Sequence, residues 1–547
     1  MSGLSADVRR GLRFGCRWLL LAAVLLWGMP ALGQYAPEGN AHPEAGPAVT
    51  EGEPILFPFG QPGHGPEGED AVQAALARKI EFARSVDLSP LRSLAVHEGG
   101  RVKVLQTLAE ETVASITGRR RYVEFFRDDA GTPQDVKFDP LFTLLDMAID
   151  PAFYDQRPLV QVEYLPLRRA IVERGLVVPA EAHGGFALQP LSDEAVDAYL
   201  KLTRVSPLTI RGHMEAIQRE YEMQDPYRQG MERMYRALQR LQAVPATFQL
   251  VAPDGLDREW HHIAEAYAPG SEARAVALAF GQAWRAGDAA KVNTLARELA
   301  DLLPTINSEQ YPTTRRSLEV LYTRAKPFVF GYWAYLIALV TLLIGIGTQR
   351  RGLLGLGTGF LLLAIAMHSA GFILRCIIAE RFAIQNQFES MTGVSLFASI
   401  LALGIMAWRK QAVFGAAAAA TGFLILITAT EARIPGQTIG REAAILNTSV
   451  LLKYHVTTVL VSYGLIALGF ILSLFYLGVH YAGKVGAKDL VVAVEPEATS
   501  QATAGEAKAG AAAGGNAKGG IQRTLRDLDK ATMIVLQLAF WTLGVGI

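Results

Sequence analysis

The sequence predicts a mainly α-helical protein: a helical domain outside the cytoplasm followed by a polytopic bundle of transmembrane helices. Three observations predict it. Half of the 547 residues are apolar, with 52 basic and 52 acidic residues in balance. The mean hydropathy is positive, too apolar for an ordinary soluble enzyme yet diluted by long polar stretches. Apolar runs of bilayer length cluster in the second half of the chain. The neutral balance gives no electrostatic reason to expect nucleic acid as a partner.

The first 33 residues read as an export signal or anchor. Arg9, Arg10, Arg13 and Arg17 precede an apolar stretch over 18–27, and Pro30-Ala31-Leu32-Gly33 offers small residues at cleavage-type spacing. Cys16 lies ahead of that stretch, so cleavage would leave Cys376 as the single cysteine and no internal disulfide. Residues 34–66, rich in Pro, Gly and Glu, read as an extended tether.

Helical periodicity dominates the domain expected over 67–326. Apolar residues recur at three and four spacing over 70–86, 193–202, 230–243, 271–286 and 289–303, while 159–165 and 247–251 are short candidate strands. His261 and His262 are adjacent and unaccompanied by a Cys or carboxylate cluster. The expectation is a solvated helix face and not a metal site.

Runs over 327–347, 352–374, 394–408, 412–429 and 456–479 approximate membrane spans, forming a five-helix bundle within 327–479; a sixth run covers 533–547. Arg350 and Arg351, then Arg409 and Lys410, then Lys484 and Lys488 with Arg523, Arg526 and Lys530, mark alternate loops as cytoplasmic. The loops 375–390 and 431–455 are then external, on the side of the exported domain. Between 480 and 530 the Ala, Gly, Glu and Lys-rich segment shows no apolar period, which predicts a disordered cytoplasmic linker.

His455 sits where that second external loop enters an apolar run. A neutral imidazole at such a boundary can bind metal through one nitrogen while the other donates a hydrogen bond, as an axial ligand of haem iron does. His368 lies inside the second span, where a polar ring needs a partner. Arg375 ends that helix and could pair with a haem propionate or snorkel to headgroups. Asn386, Glu389 and Ser390 form a helix-start pattern in which capping and ligand contact are both open.

These residues resemble a known family. An arginine ending one helix, then a loop with Asn, two residues and Glu-Ser opening the next, is matched at Arg375, Asn386, Glu389 and Ser390, with Ala383 where proline is usual. His455 followed by Ser462-Tyr463-Gly464 matches an external histidine starting a helix with a Ser-Tyr pair. Leu94 to Lys103, with Thr107, resembles the opening of the extracytoplasmic region in large fused forms. The chain thus resembles the haem-handling membrane proteins of cytochrome c assembly, of the ResC or CcsA type.

The resemblance implies an inner-membrane protein of a bacterium, its large domain periplasmic, that presents haem b for thioether attachment to apocytochrome c beside a ResB-type partner. It implies His455 as an axial ligand to haem iron, with His368, Arg375, Asn386 and Glu389 as haem contacts. In the family a tryptophan-rich segment and further histidines follow the sixth run. The resemblance implies that this half comes from another polypeptide or is missing, and that the chain is part of a haem lyase complex, incomplete alone. A different class also fits the layout: a membrane sensor or transport accessory with a partner-binding exported domain and no haem.

Overall fold

The computed structural model describes residues 57–62, 69–127, 133–179, 186–221, 224–255, 258–265, 271–432, 434, 436–440, 450–492 and 504–546. The expected signal, and the tether up to residue 56, lie outside the described residues. Two units divide the chain, the N-terminal one ending at Leu321 and the second starting at Tyr322.

Among the described residues of the N-terminal unit, helices take the periodic segments, and three short hairpins with one longer-range strand pair take most of the rest. The helices are α1 (Glu69–Ser85), α2 (Leu105–Thr117), α3 (Pro140–Ile149), α4 (Pro151–Asp155), α5 (Leu165–Val172), α6 (Asp193–Leu202), α7 (Pro207–Tyr221), α8 (Asp225–Gln242), α9 (Ser271–Arg285), α10 (Ala289–Leu302) and α11 (Thr313–Ala325). Local chemistry sets their starts: Asp139 caps α3 by accepting from Leu141 N–H, and Ser192 caps α6 by accepting from Ala195 N–H. The strands β1 (Ala95–Glu98), β2 (Arg101–Val104), β3 (Val123–Arg127), β4 (Pro133–Lys137), β5 (Val160–Gln161), β6 (Leu176–Pro179), β7 (Phe186–Gln189) and β8 (Arg204–Val205) pair antiparallel as β1–β2, β3–β4, β5–β8 and β6–β7.

Four expectations need correction here. The strand expected over 159–165 is only Val160–Gln161, because Leu165-Pro166 opens α5. The segment 247–251 contributes isolated bridges, His97 to Gln249 and Val251 to His261. His261 and His262 are therefore not on a helix, and His262 is buried, its Nε2 2.8 Å from the Pro245 carbonyl and its Nδ1 accepting from Ala264 N–H. Burial pushes its basicity below the ordinary histidine value, which keeps the ring neutral. The tether also ends earlier than expected: Phe59 is core, edge-on to Phe248 at 5.1 Å and beside Phe280 at 5.6 Å.

Charge is buried in this core and paired there. Asp146 accepts from Lys79 Nζ at 2.7 Å, Tyr154 Oη at 2.7 Å and Trp284 Nε1 at 2.9 Å, so all its demand is met by α1, α4 and α9. Glu98 of β1 accepts from Lys103 Nζ at 2.6 Å and from Arg240 of α8. Burial alone would raise the Glu98 carboxyl, but these two cations outweigh it and hold it at about 2. A folded-state value below the unfolded one stabilises the fold above the unfolded value and loses that stabilisation as pH falls through the folded one. Stability should therefore drop between about pH 4.5 and 2, by on the order of 3 kcal/mol for this group. In Glu98→Gln the acid limb of a melting-temperature profile should be flatter over that window.

The second unit carries α12 (Pro327–Thr348), α13 (Arg351–Ala379), α14 (Gln387–Arg409), α15 (Ala412–Glu431), α16 (Val450–Val492) and α17 (Ala504–Gly546). Each contains a stretch long and apolar enough to cross a membrane, the architecture of a multi-pass membrane protein. Phe330, Trp333, Ile337, Val340 and Ile344 line one exposed face of α12 at helical spacing, as a lipid-facing stripe requires. The inward faces use small residues. Ala416 to Ala419 of α15 are fully buried, and a Cβ at Gly422 would stand 2.7 Å from the Tyr335 ring of α12. The linker expected to be disordered over 480–530 is helical over 482–492 and 504–530, within α16 and α17. Its Ala, Glu and Lys content favours helix even without an apolar period. Residues 493–503 lie outside the described residues.

Candidate functional site

The loop between α13 and α14 and the segment following α15 meet at one end of the bundle. Arg375, in the last turns of α13, and Glu389, in the first turn of α14, are both wholly buried and paired, Nε to Oε1 at 3.0 Å. Arg381, in the loop, grips the same carboxylate with Nη1 at 2.6 Å from Oε2 and Nη2 at 3.1 Å from Oε1. The Gln385 N–H adds a fourth donor at 3.0 Å.

Two guanidiniums against one carboxylate leave a surplus positive charge, which backbone carbonyls solvate. Arg375 donates to the carbonyls of Gly436, Gln437 and Thr438, at 2.5, 2.8 and 3.2 Å, and Arg381 to that of Gly440 at 3.0 Å. The Phe388 ring lies 4.8 Å under the Arg375 guanidinium. The knot thus ties 436–440 to the α14 entrance. Gly436 is required at the contact: its φ is +87° and a Cβ would stand 2.4 Å from the Asn386 carboxamide.

Asn386 is the cap of α14, its Oδ1 accepting from Glu389 N–H at 2.9 Å. Ser390 Oγ donates to the Ile384 carbonyl at 3.1 Å. Of the two readings open for this trio, capping is what the geometry displays. Ala383, where the resemblance has proline, donates its N–H to the Cys376 thiol at 3.4 Å, a bond proline could not make. Arg375 neither snorkels nor points at an external ligand. Pairing with a propionate would require it to give up Glu389 or the 436–440 carbonyls.

His368 is fully buried between three helices. The Thr392 carbonyl of α14 can only accept, so Nε2, 3.0 Å away, carries the proton and Nδ1 accepts from Tyr335 Oη of α12 at 3.3 Å. Phe328 and Tyr335 stand edge-on to the ring. Both nitrogens are engaged, which answers the need for a partner at that depth by packing and leaves neither for iron in this arrangement.

His455 lies near the start of α16 and is exposed. A Cβ at Gly464 would meet the Val394 carbonyl of α14 at 2.8 Å, so the two helices run side by side at that level. Nine residues earlier, roughly 13 Å along the helix, His455 stands about level with Asn386 and the knot. Ser462, from the motif after His455, is buried and donates to the Ala539 carbonyl of α17 at 2.9 Å. The structure therefore brings Arg375, Asn386, Glu389 and His455 to one end of the bundle and sets His368 apart in its interior. Arg381 and Tyr335 escaped the sequence reading. The signal for Arg381 was charge balance, since a buried Arg375–Glu389 pair leaves a second arginine six residues on in need of an acceptor.

No protein-family model matches the chain, and no curated protein matches it.

Proposed function

We propose that this membrane protein takes part in cytochrome c maturation, binding haem b through His455 and presenting it for attachment to apocytochrome c. The observation that carries the reading is the exposure of His455 at the bundle end where Arg375, Arg381 and Glu389 clamp both adjoining segments. An imidazole on a fixed platform can hold iron axially while the porphyrin edge stays accessible. Haem is the substrate. In the attachment each cysteine thiol of a Cys-x-x-Cys-His motif adds across a vinyl group, sulfur to one carbon and the thiol proton to the other, with no net oxidation. This chain's own part is to coordinate and orient; the thiols belong to the apocytochrome. Arg375, Glu389 and Asn386 act by holding the platform, beside a ResB-type partner at the periplasmic face of the bacterial inner membrane.

Purification of the full chain with and without added haem tests this reading, the expected result being a Soret band that survives washing. A reporter active only outside the cytoplasm should be active when fused near Gly436 and silent near Gly510. Absence of the band points to a sensor or transport accessory, and reversed reporter activity removes His455 from the delivery face.

A further inference from the structure

The end of the bundle opposite the Arg375 knot carries an unbalanced charge. Arg350 and Arg351 lie where α12 gives way to α13, and Arg409 and Lys410 where α14 gives way to α15. All four are exposed, and among the described residues none pairs with a carboxylate. The sequence offers none nearby, because Asp and Glu are absent from 320–379 and from 390–430. The cations Arg526 and Lys530 of α17, by contrast, are interleaved with Asp527 and Asp529.

The two loops stand together. Helices α12 and α15 run antiparallel in a constant register: a Cβ at Gly331 would meet Leu426 at 3.6 Å, one at Gly422 the Tyr335 ring at 2.7 Å, and one at Gly415 Leu342 at 3.4 Å. Continued, that register sets Ala412, the first residue of α15, level with Gly345, less than one turn from the end of α12 at Thr348. Packed helix axes lie about 8–10 Å apart, so the four cations share one patch. Each loop also opens a helix: Arg350 and Gln411 precede α13 and α15 without a side-chain cap. The positive end of each helix dipole therefore adds to the cations instead of offsetting them. Trp408, 55% exposed beside Arg409, marks the depth, since tryptophan settles at the headgroup level of a bilayer.

Four like charges with no counter-ion from the protein, at the depth of the lipid phosphates, are complementary to a headgroup of net negative charge. A zwitterionic headgroup carries its own cation and offsets nothing. We propose that Arg350, Arg351, Arg409 and Lys410 form a docking surface for an anionic phospholipid, whose phosphodiester the two loops share. The inference goes beyond the proposed function and is independent of haem.

The test titrates the full chain in detergent with dioctanoyl phosphatidylglycerol and, in separate arms, with dioctanoyl phosphatidylcholine and with inorganic phosphate. Bound lipid is read by native mass spectrometry and the melting temperature is followed alongside. Phosphatidylglycerol should bind and raise the melting temperature, and the other two should do neither. Each cation changed to glutamine should weaken that binding about fivefold, whereas Arg526→Gln with Lys530→Gln should leave it unchanged. Because basic loops also set membrane orientation, Arg350→Gln with Lys410→Gln is checked with the reporter fused near Gly436. If that pair inverts the chain, the single variants give the same readout. Equal retention of phosphatidylcholine overturns the proposal in favour of a non-selective lipid shell. An equal effect of inorganic phosphate overturns it in favour of a plain anion patch. Unchanged phosphatidylglycerol affinity in the correctly oriented variants overturns it by showing that these cations serve topology alone.

Discussion

Glu389→Ala should destabilise the bundle by about 3–5 kcal/mol, the typical consequence of removing one partner from a buried ion pair. The carboxylate is the common acceptor of Arg375 and Arg381, and neither it nor Arg375 reaches solvent. Its loss would leave two buried guanidiniums facing each other with only carbonyl dipoles as counter-charge. The effect would travel locally: the Arg375 and Arg381 contacts to 436–440 depend on the carboxylate fixing both side chains. A large fall in the melting temperature of the detergent-purified protein should therefore accompany faster proteolysis at 436–440. Arg375→Met combined with Glu389→Met should cost less than the sum of the single changes, because it removes the wholly buried Arg375 charge together with its carboxylate and leaves only Arg381 without that acceptor. An unshifted melting temperature in Glu389→Ala would mean that the knot contributes nothing to the bundle.

That knot shows what the sequence could and could not disclose. The spans were legible because bilayer thickness demands a length of apolar chain, and the described residues of every expected run fall within a helix. The Asn386 cap was legible too, since capping is a local matter of one side chain and an N–H three residues on. Partnership was not. Arg375 and Glu389 are fourteen residues apart, and the carbonyls that complete the site come from 436–440, about sixty residues further along. Nothing periodic announces a carbonyl as a ligand. Similarly, His368 reads in one dimension as a ring at membrane depth in need of a partner, and only in three is it a doubly bonded helix tie.

In the N-terminal unit the misses have another cause. The β1–β2 hairpin was overlooked although Gly99-Gly100, both with positive φ, form the two-residue turn such hairpins favour, with Glu98 opposite Arg101. Its strands are four residues long and carry His97, Glu98, Arg101 and Lys103, whose charges obscure the alternation that identifies a half-buried strand. The buried ion pairs that make those charges tolerable, Glu98 with Lys103 and Arg240, depend on tertiary contact. His261 and His262 were misplaced for a similar reason: a bridge to Val251, ten residues upstream, leaves no periodic trace.

The second large effect concerns His455. Replacing it by glycine removes an exposed imidazole but no buried packing, so the fold should survive while ligation does not. In cells carrying this variant, haem content and cytochrome c yield should both fall severalfold. Added imidazole should partly restore them, because the missing donor is at an accessible position and a small ligand can take its place. His368→Gly should behave differently, losing stability through its broken ties to Tyr335 and Thr392 and gaining nothing from imidazole.

The direct measurement is therefore the Soret spectrum and cytochrome c yield of His455→Gly with and without imidazole. The account predicts loss of bound haem and of maturation, with recovery of both on adding imidazole. Normal haem content and normal maturation in His455→Gly would contradict it.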